Sequence, residues 1–341
     1  MKAYAPGRVN LMGDHTDYTG GLVLPMAINL GTTVEGTAVE LTAVEGTAST
    51  GDRVHLSSAE EPDDAVVPLA VTDPSSMEPP WARYVAGVVS VLRPAMGFTG
   101  SVRTTLPIGA GLSSSAALEV AVALALGFDG SPHELARACQ EAEQVASGVP
   151  CGVMDQLAAA AGVAGHALLI DCSTLAVEPV ALPAGVEVVV AHSGVRRALV
   201  TSAYAQRRTQ CETAERALGV PLRDATSAEV TRLHDPLLRR RARHVVSENQ
   251  RVRAMADALT GADLRTIGET MAASHASLRD DFDVSTPELD ALVARLTRTS
   301  GVIGARLTGA GFGGCAVALV HAGAAVEGWR VRAAAGAHIE R

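Results

Sequence analysis

Residues 107–117 read Pro107-Ile-Gly-Ala-Gly-Leu-Ser-Ser-Ser-Ala-Ala117, and what lies on either side decides how the chain folds. Before them, residues 98–106 alternate in hydrophobicity as a strand does. After them, AALEVAVALAL is apolar nearly all round, which predicts a buried helix. Gly109 and Gly111 permit tight turns and a close approach of backbone to a ligand. The hydroxyls of Ser113, Ser114 and Ser115 fall where a helix presents unpaired N–H groups and the positive end of its dipole. The bland reading is a strand-to-helix turn with serine caps. Three successive serines at a helix start favour an anion site instead.

That site has to work without lysine. The chain carries 28 basic residues against 37 acids, a net charge of −9, and Lys2 is the only lysine among them. A P-loop needs a lysine late in its glycine loop, and a protein kinase needs one on an early strand. Position 2 can serve neither, nor can it form a buried Schiff base. Phosphate, if handled, falls to backbone N–H groups, arginines and a metal.

The other priors are those of an ordinary globular protein. Apolar residues make up 48% and aromatics 3%, so alanine, valine and leucine must fill the interior. No basic tract offers a footprint for nucleic acid. MKAYAPGRVN lacks the apolar core of a secretory signal. The uncharged run Leu307 to Val326 holds five glycines and a histidine, which predicts a buried strand and loop rather than a membrane helix. Five widely spaced cysteines without a C-x-x-C point to reduced thiols and a cytoplasmic protein.

At 341 residues, two domains are expected, and the texture of the chain changes near residue 180. Residues 1–180 mix strands (22–44 among them) with helices, and residues 60–80 read as an irregular connection. Pro80 is placed at the first turn of a helix over WARYVAGVVSVL. HELARACQEAEQV and LAAAAGV read as further helices, and a hairpin is expected around Ser173-Thr174. Residues 181–341 open on the strand VEVVVAHS and continue with Arg/Glu-rich helices over 198–299. They close with the strand GVIGARL, a glycine loop and the strand CAVALV.

Three further clusters carry candidate chemistry. Gly7-Arg-Val-Asn-Leu-Met-Gly-Asp-His-Thr-Asp-Tyr18 crowds Arg8, Asn10, Asp14, His15 and Asp17 between apolar stretches. Closely spaced acids suit the hydroxyls of a polyol; an Asx-rich turn or a metal site on His15 are the rivals. In Gly152-Val-Met-Asp-Gln156, Asp155 opens an apolar helix, as a cap or as a buried carboxylate with a tuned pKa. Glu143, beside Glu141 on the preceding helix, reads by itself as a solvated acid. The loop Gly309-Ala-Gly-Phe-Gly-Gly314 reads equally as a tight turn or a backbone that something approaches closely.

These segments, in this order, resemble the GHMP kinase superfamily, and within it the branch that phosphorylates galactose. Trp81-Ala-Arg-Tyr-Val-Ala-Gly87, Val195–Cys211 and Ser274–Asp281 extend the likeness over essentially the whole chain. The resemblance implies an α+β fold of two domains, the first like ribosomal protein S5 domain 2 and the second ferredoxin-like, with the active site in the cleft between. It implies transfer of phosphate from ATP, with Mg2+, to the anomeric hydroxyl of galactose by a cytoplasmic monomer. Carried over by position, Asp155 and Arg8 become catalytic. Asp14, His15, Thr16, Asp17, Gly152 and Tyr204 become sugar contacts. Gly109, Ala110, Gly111, Leu112, Ser113, Ser114 and Ser115 become the nucleotide phosphate loop, with Trp81 and Tyr84 at the adenine. Ser115 and Glu143 match the magnesium ligands.

Two departures qualify the likeness. Asp14 stands where the family usually has a glutamate, and that acid reaches the sugar's outer hydroxyl. A kinase for L-arabinose, which is galactose without C6, is therefore the nearest rival. The chain also starts almost at the first motif, which bears on how the sugar pocket is covered. A catalytically inactive galactose sensor is disfavoured by the intact serine loop. A dinucleotide site is disfavoured too, because no acid follows a second strand ~20 residues on.

Overall fold

Three sheets and nine α-helices are found among the described residues of this computed structural model, which are 1–40, 51–107, 109–195 and 200–340. Residues 41–44 of the expected strand region, Ile108, and residues 198–199 at the start of the expected helical region lie outside them. The strands are β1 (Lys2–Asn10), β2 (Leu22–Val23), β3 (Pro25–Val39), β4 (Arg53–Ser58), β5 (Ala65–Pro68), β6 (Gly97–Thr104), β7 (His166–Asp171), β8 (Ala176–Ala181), β9 (Val186–His192), β10 (Val302–Thr308), β11 (Cys315–His321), β12 (Trp329–Val331) and β13 (His338–Glu340). The helices are α1 (Ala82–Leu92), α2 (Ser114–Ala125), α3 (Pro132–Ser147), α4 (Met154–Ala161), α5 (Val200–Leu218), α6 (Ser227–Val230), α7 (Pro236–Thr260), α8 (Leu264–Asp280) and α9 (Pro287–Arg298).

The first sheet runs β13-β1-β3-β6-β4-β5, antiparallel throughout except for the β4–β6 pair. Helices α2 and α4 pack on β1 and β3, and α3 lies against α1, α2 and α4. The second sheet, β10-β11-β9-β12, carries α8 and α9. A third, β2-β7-β8, meets α7. Helix boundaries follow local chemistry. Ser131 and Glu134 form a reciprocal cap at the start of α3, with Pro132 in the first turn and Gly148 closing the helix in the left-handed region. Asp235 accepts from the N–H groups of Leu237 and Leu238 ahead of α7.

Several expectations change. The stretch 60–80 is not wholly irregular: Val67 buries its side chain in β5, which pairs with β4, and Pro74–Ser76 form a 3-10 turn. Helix α1 begins at Ala82, one residue after Trp81, so Pro80 precedes the helix. Two short strands, β12 and β13, follow the last one read from the sequence. β13 returns the end of the chain to β1 of the first sheet. The run from Leu307 to Val326 is the end of β10, a loop and β11, and among the described residues no helix is long and apolar enough to cross a membrane. Cys139, Cys151, Cys172 and Cys211 are free thiols.

Candidate active site

The register of β1 against β3 shifts between Pro6 and Arg8, and such an irregularity re-aims the side chain that follows it. Arg8 points to the first turn of α4. Its Nε and Nη2 donate to the two carboxylate oxygens of Asp155, each at 2.8 Å. Asp155 sits where the helix dipole favours a negative charge. The third arm of the guanidinium, Nη1, donates to the carbonyl of Gly111 at 2.8 Å, and the Arg8 amide donates to the carbonyl of Leu112. One buried arginine thus holds the helix acid and the glycine loop together.

The loop itself alternates through the left-handed region, with φ of 74° at Gly109, 77° at Gly111 and 58° at Ser113. Turning amides in this way makes a concavity suited to an anion. Ser113 precedes α2 but does not cap it; its hydroxyl donates to Asp155 Oδ2 at 2.5 Å. The first N–H groups of a 12-residue helix therefore stay uncapped by Ser113, pointing beyond the loop.

Beside Asp155 lies a second carboxylate. Ser115 Oγ donates to Glu143 Oε1 at 3.0 Å, and Gln156 Nε2 donates to Glu143 Oε2 at 2.5 Å. Glu143 is partly buried rather than solvated, unlike exposed Glu141 one turn-face away. Burial, reinforced by neighbouring Asp155, pushes the Glu143 carboxyl up to about 7. A hydroxyl and a carboxylate side by side form a hard-oxygen pair, and that pair fits a magnesium ion completing its shell with phosphates and water.

On one side of Arg8 and Asp155 opens a cavity of about 180 Å³. Its wall brings together Arg8, Asp14, His15, Asp17, Gly152, Asp155 and Tyr204, with Gly309 and Ala310 from the glycine loop. Gly152 is needed there for space: a Cβ would come 1.9 Å from Asp17 Oδ2. Burial first, then Asp155, raises the Asp17 carboxyl to about 7. Asp14 is buried, with Oδ2 taken by Arg306 and Oδ1 accepting from the Gly309 amide at 2.9 Å. His15 contacts the Tyr18 hydroxyl through Nδ1 and the Ala310 carbonyl through Nε2, while its ring packs on Tyr204 and Phe282. The loop 309–314 is both things the sequence allowed: a tight turn with positive φ at five of its six residues, and part of the cavity wall. Thr16 is not in this wall: it is fully buried and its hydroxyl hydrogen is shared between the carbonyls of Gly13 and Leu22.

A second cavity, of about 530 Å³, has in its wall Trp81, Tyr84, Ser114 and Ser115, together with Arg83 and Thr104. Trp81 is anchored by Nε1 donating to the Asp63 carbonyl at 3.0 Å. The described loop residues Gly109 to Ser113 do not line this space, and Ala110 and Leu112 are buried.

The residues that sequence reading missed form the floor. Arg306, fully buried, donates to the Leu11 carbonyl at 3.0 Å as well as to Asp14. Glu248 accepts from the Gly13 amide, Ser274 Oγ and Arg251 Nε. Burial works against the Glu248 carboxylate, yet Arg251 and Arg306 together bring it down to about 2. His244 holds the Asp14 carbonyl through Nε2. The only available signal was position within quoted stretches: Arg306 in GVIGARL, Gln156 after Asp155 and Ser274 in the helical motif.

This α+β arrangement of sheets and helices, with its serine loop, is that of a GHMP kinase. The profile of their N-terminal domain matches residues 83–163 and that of their C-terminal domain residues 255–336. The fold alone is shared with the mevalonate kinase of Methanococcus jannaschii, at a TM-score of 0.67 and 19% identity over 98% of both chains. A third profile, the galactokinase galactose-binding signature, matches residues 2–37 and so spans Arg8, Asp14 and Asp17. Galactokinase of Homo sapiens is 44% identical over 340 residues, covering 96% of this chain and 85% of that one. The corresponding protein of Roseiflexus is 45% identical over 337 residues, covering 93% and 82%. The crystal structure of Lactococcus lactis galactokinase complexed with galactose superimposes at a TM-score of 0.89, with 31% identity over 99% of this chain and 95% of that one. The chain belongs to the galactokinase family and is a kinase.

Proposed function

We propose that the chain transfers the γ-phosphoryl group of ATP to the anomeric hydroxyl of galactose, giving α-D-galactose 1-phosphate and ADP. One observation carries the reading: the Arg8–Asp155 pair lies in the wall of the smaller cavity and is bonded directly to the glycine loop. Sugar in the smaller space and nucleotide in the larger would meet across that pair.

Asp155 is the acceptor for the hydroxyl proton, and its orientation is locked by three donors, two from Arg8 and one from Ser113. The Arg8 guanidinium pairs with Asp155 through two of its arms and can also face the transferring phosphoryl group. Asp17, Asp14 and Tyr204 orient the sugar, and a fixed hydroxyl matters because phosphoryl transfer depends mainly on positioning and charge neutralisation. Ser115 and Glu143 would hold Mg2+, which neutralises charge on the phosphates when bound. Trp81 and Tyr84 would flank the base. The chain acts in this reading as a cytoplasmic monomer, without nucleic acid or membrane partners.

The test is a panel of sugars offered with ATP and magnesium, with ADP formation followed by a coupled assay. Galactose is expected to give the highest kcat/KM. Equal or better turnover of L-arabinose overturns the sugar assignment and turns attention to Asp14.

A further inference from the structure

Helix α2 buries an acid that the phosphoryl-transfer scheme does not use. Glu119 is fully buried in an otherwise apolar run, one turn beyond Ser115. Its one hydrogen bond is Gln156 Nε2 donating to Oε2 at 3.3 Å. The same amide nitrogen donates its other hydrogen to Glu143 Oε2 at 2.5 Å, so Gln156 spans two carboxylates. Two buried oxygens are then left without partners, and they belong to the two bonded side chains: Glu119 Oε1 and Gln156 Oε1.

Buried polar atoms are rarely left unpaired, and both of these are acceptors. A single proton would satisfy the two at once. We infer that Glu119 carries that proton and forms a cyclic acid–amide pair with Gln156, which fixes the second Gln156 N–H on Glu143. In this ring Glu119 Oε1–H donates to Gln156 Oε1 while Gln156 Nε2–H donates to Glu119 Oε2. The titratable groups acting on Glu119 from the packed elements are Tyr84 of α1, Cys139 and Glu143 of α3, Cys151 in the loop before α4, and Asp155 of α4. None is a cation. Burial and the two acids raise the carboxyl well above its ordinary value, in keeping with a neutral side chain.

Glu119 is on this view a positioning residue. A neutral clamp can aim the Glu143 carboxylate toward Ser115, whereas an ionised Glu119 would repel it. The assignment of Glu143 to magnesium rests on the function proposed above; the proton on Glu119 does not.

Two measurements separate these statements. The infrared difference between wild type and Glu119→Gln at neutral pH should contain the carbonyl stretch of a protonated carboxyl group, lost in the variant. Absence of that band overturns the inference, whatever the enzyme phosphorylates. Mn2+ binding in the presence of ATP, without sugar, reads the positioning. Glu119→Gln keeps an amide in the ring and should bind Mn2+ as wild type does. Glu119→Leu frees Gln156 and should weaken Mn2+ about tenfold, the lower end for an outer-shell partner. Equal loss in both variants, or no loss in Glu119→Leu, removes the positioning role.

Discussion

Arg8 and Asp155, 147 residues apart in the chain, share two parallel hydrogen bonds of 2.8 Å with the arginine almost wholly buried. A planar guanidinium facing a carboxylate in this way fixes direction as well as charge. Three parts of the site are tied to this pair: the glycine loop through Gly111, the serine run through Ser113, and the smaller cavity through the wall both residues share.

Asp155→Asn should remove sugar phosphorylation while leaving nucleotide binding intact. Asparagine keeps the shape but cannot take the proton, and its amide nitrogen would oppose one of three donors. The expected loss in kcat is about 10²–10⁴-fold, the usual contribution of a positioned base. Calorimetric titration with ATP checks that the loop still binds. Wild-type turnover by this variant would sink the assignment.

Gly152→Ala should act on the sugar alone. The added methyl would lie 1.9 Å from Asp17 Oδ2, so the carboxylate has to move. A displacement of that order costs about 10²-fold in kcat/KM for galactose. The larger cavity does not include Gly152, so the KM for ATP should hold. A shared rise in both KM values would mean that the change spreads through the loop instead.

These two tests concern residues that can be read from the sequence, and the reason is local. A glycine-bounded loop, serines at a helix start and an acid in a first turn each leave a mark within a few residues. The floor of the site leaves none. Arg306 is one of 27 arginines against a single lysine, and nothing near it shows that its partner is 292 residues away. Glu119 and Gln156 look like one stray acid and one helix-surface amide until α2 and α4 are packed together. Glu143 read as solvated because periodicity reports a face and not the neighbour against it. The bonding of the Thr16 hydroxyl to backbone carbonyls has no sequence mark either, because it depends on how the turn closes. The strands β5, β12 and β13 escaped because segments of three or four residues carry too little alternation to register.

His244 makes stability pH-dependent. Its Nε2 meets the Asp14 carbonyl at 3.1 Å and Nδ1 the Ser277 hydroxyl at 2.9 Å, a pattern that suits the neutral ring. Burial lowers it from 6.5 to about 4. Between those values the unfolded chain binds a proton that the native chain refuses, so stability falls as pH drops from 6.5 toward 4. The contribution is about 3 kcal/mol over that window. His275 is lowered to about 4 and acts in the same sense, while Asp17 and Glu143, raised to about 7, act in the opposite one. The measurement is therefore a difference: urea unfolding of wild type and His244→Gln at several pH values. The wild type should lose about 3 kcal/mol more than the variant on acidification. Parallel curves would show that His244 does not titrate in this window.

Arg306 offers the sharpest test of the floor. It faces Asp14 and, at 3.9 Å, Glu248, and all three are buried. Burial drives the Asp14 carboxyl up and Arg306 is its main counterweight, whereas Glu248 keeps Arg251 as a second cation. Arg306→Leu should therefore strand one acid more than the other. Removing one partner of a buried pair costs about 3–5 kcal/mol, because the remaining charge is uncompensated. Adding Asp14→Asn to Arg306→Leu should recover part of that loss, since the stranded charge is gone. Glu248→Gln added instead should recover less, because Arg251 already balances it. Urea unfolding of the four proteins at neutral pH gives the comparison. A loss within about 1 kcal/mol for Arg306→Leu, the range of an exposed pair, would show that water reaches the floor and that Asp14 is not held from below.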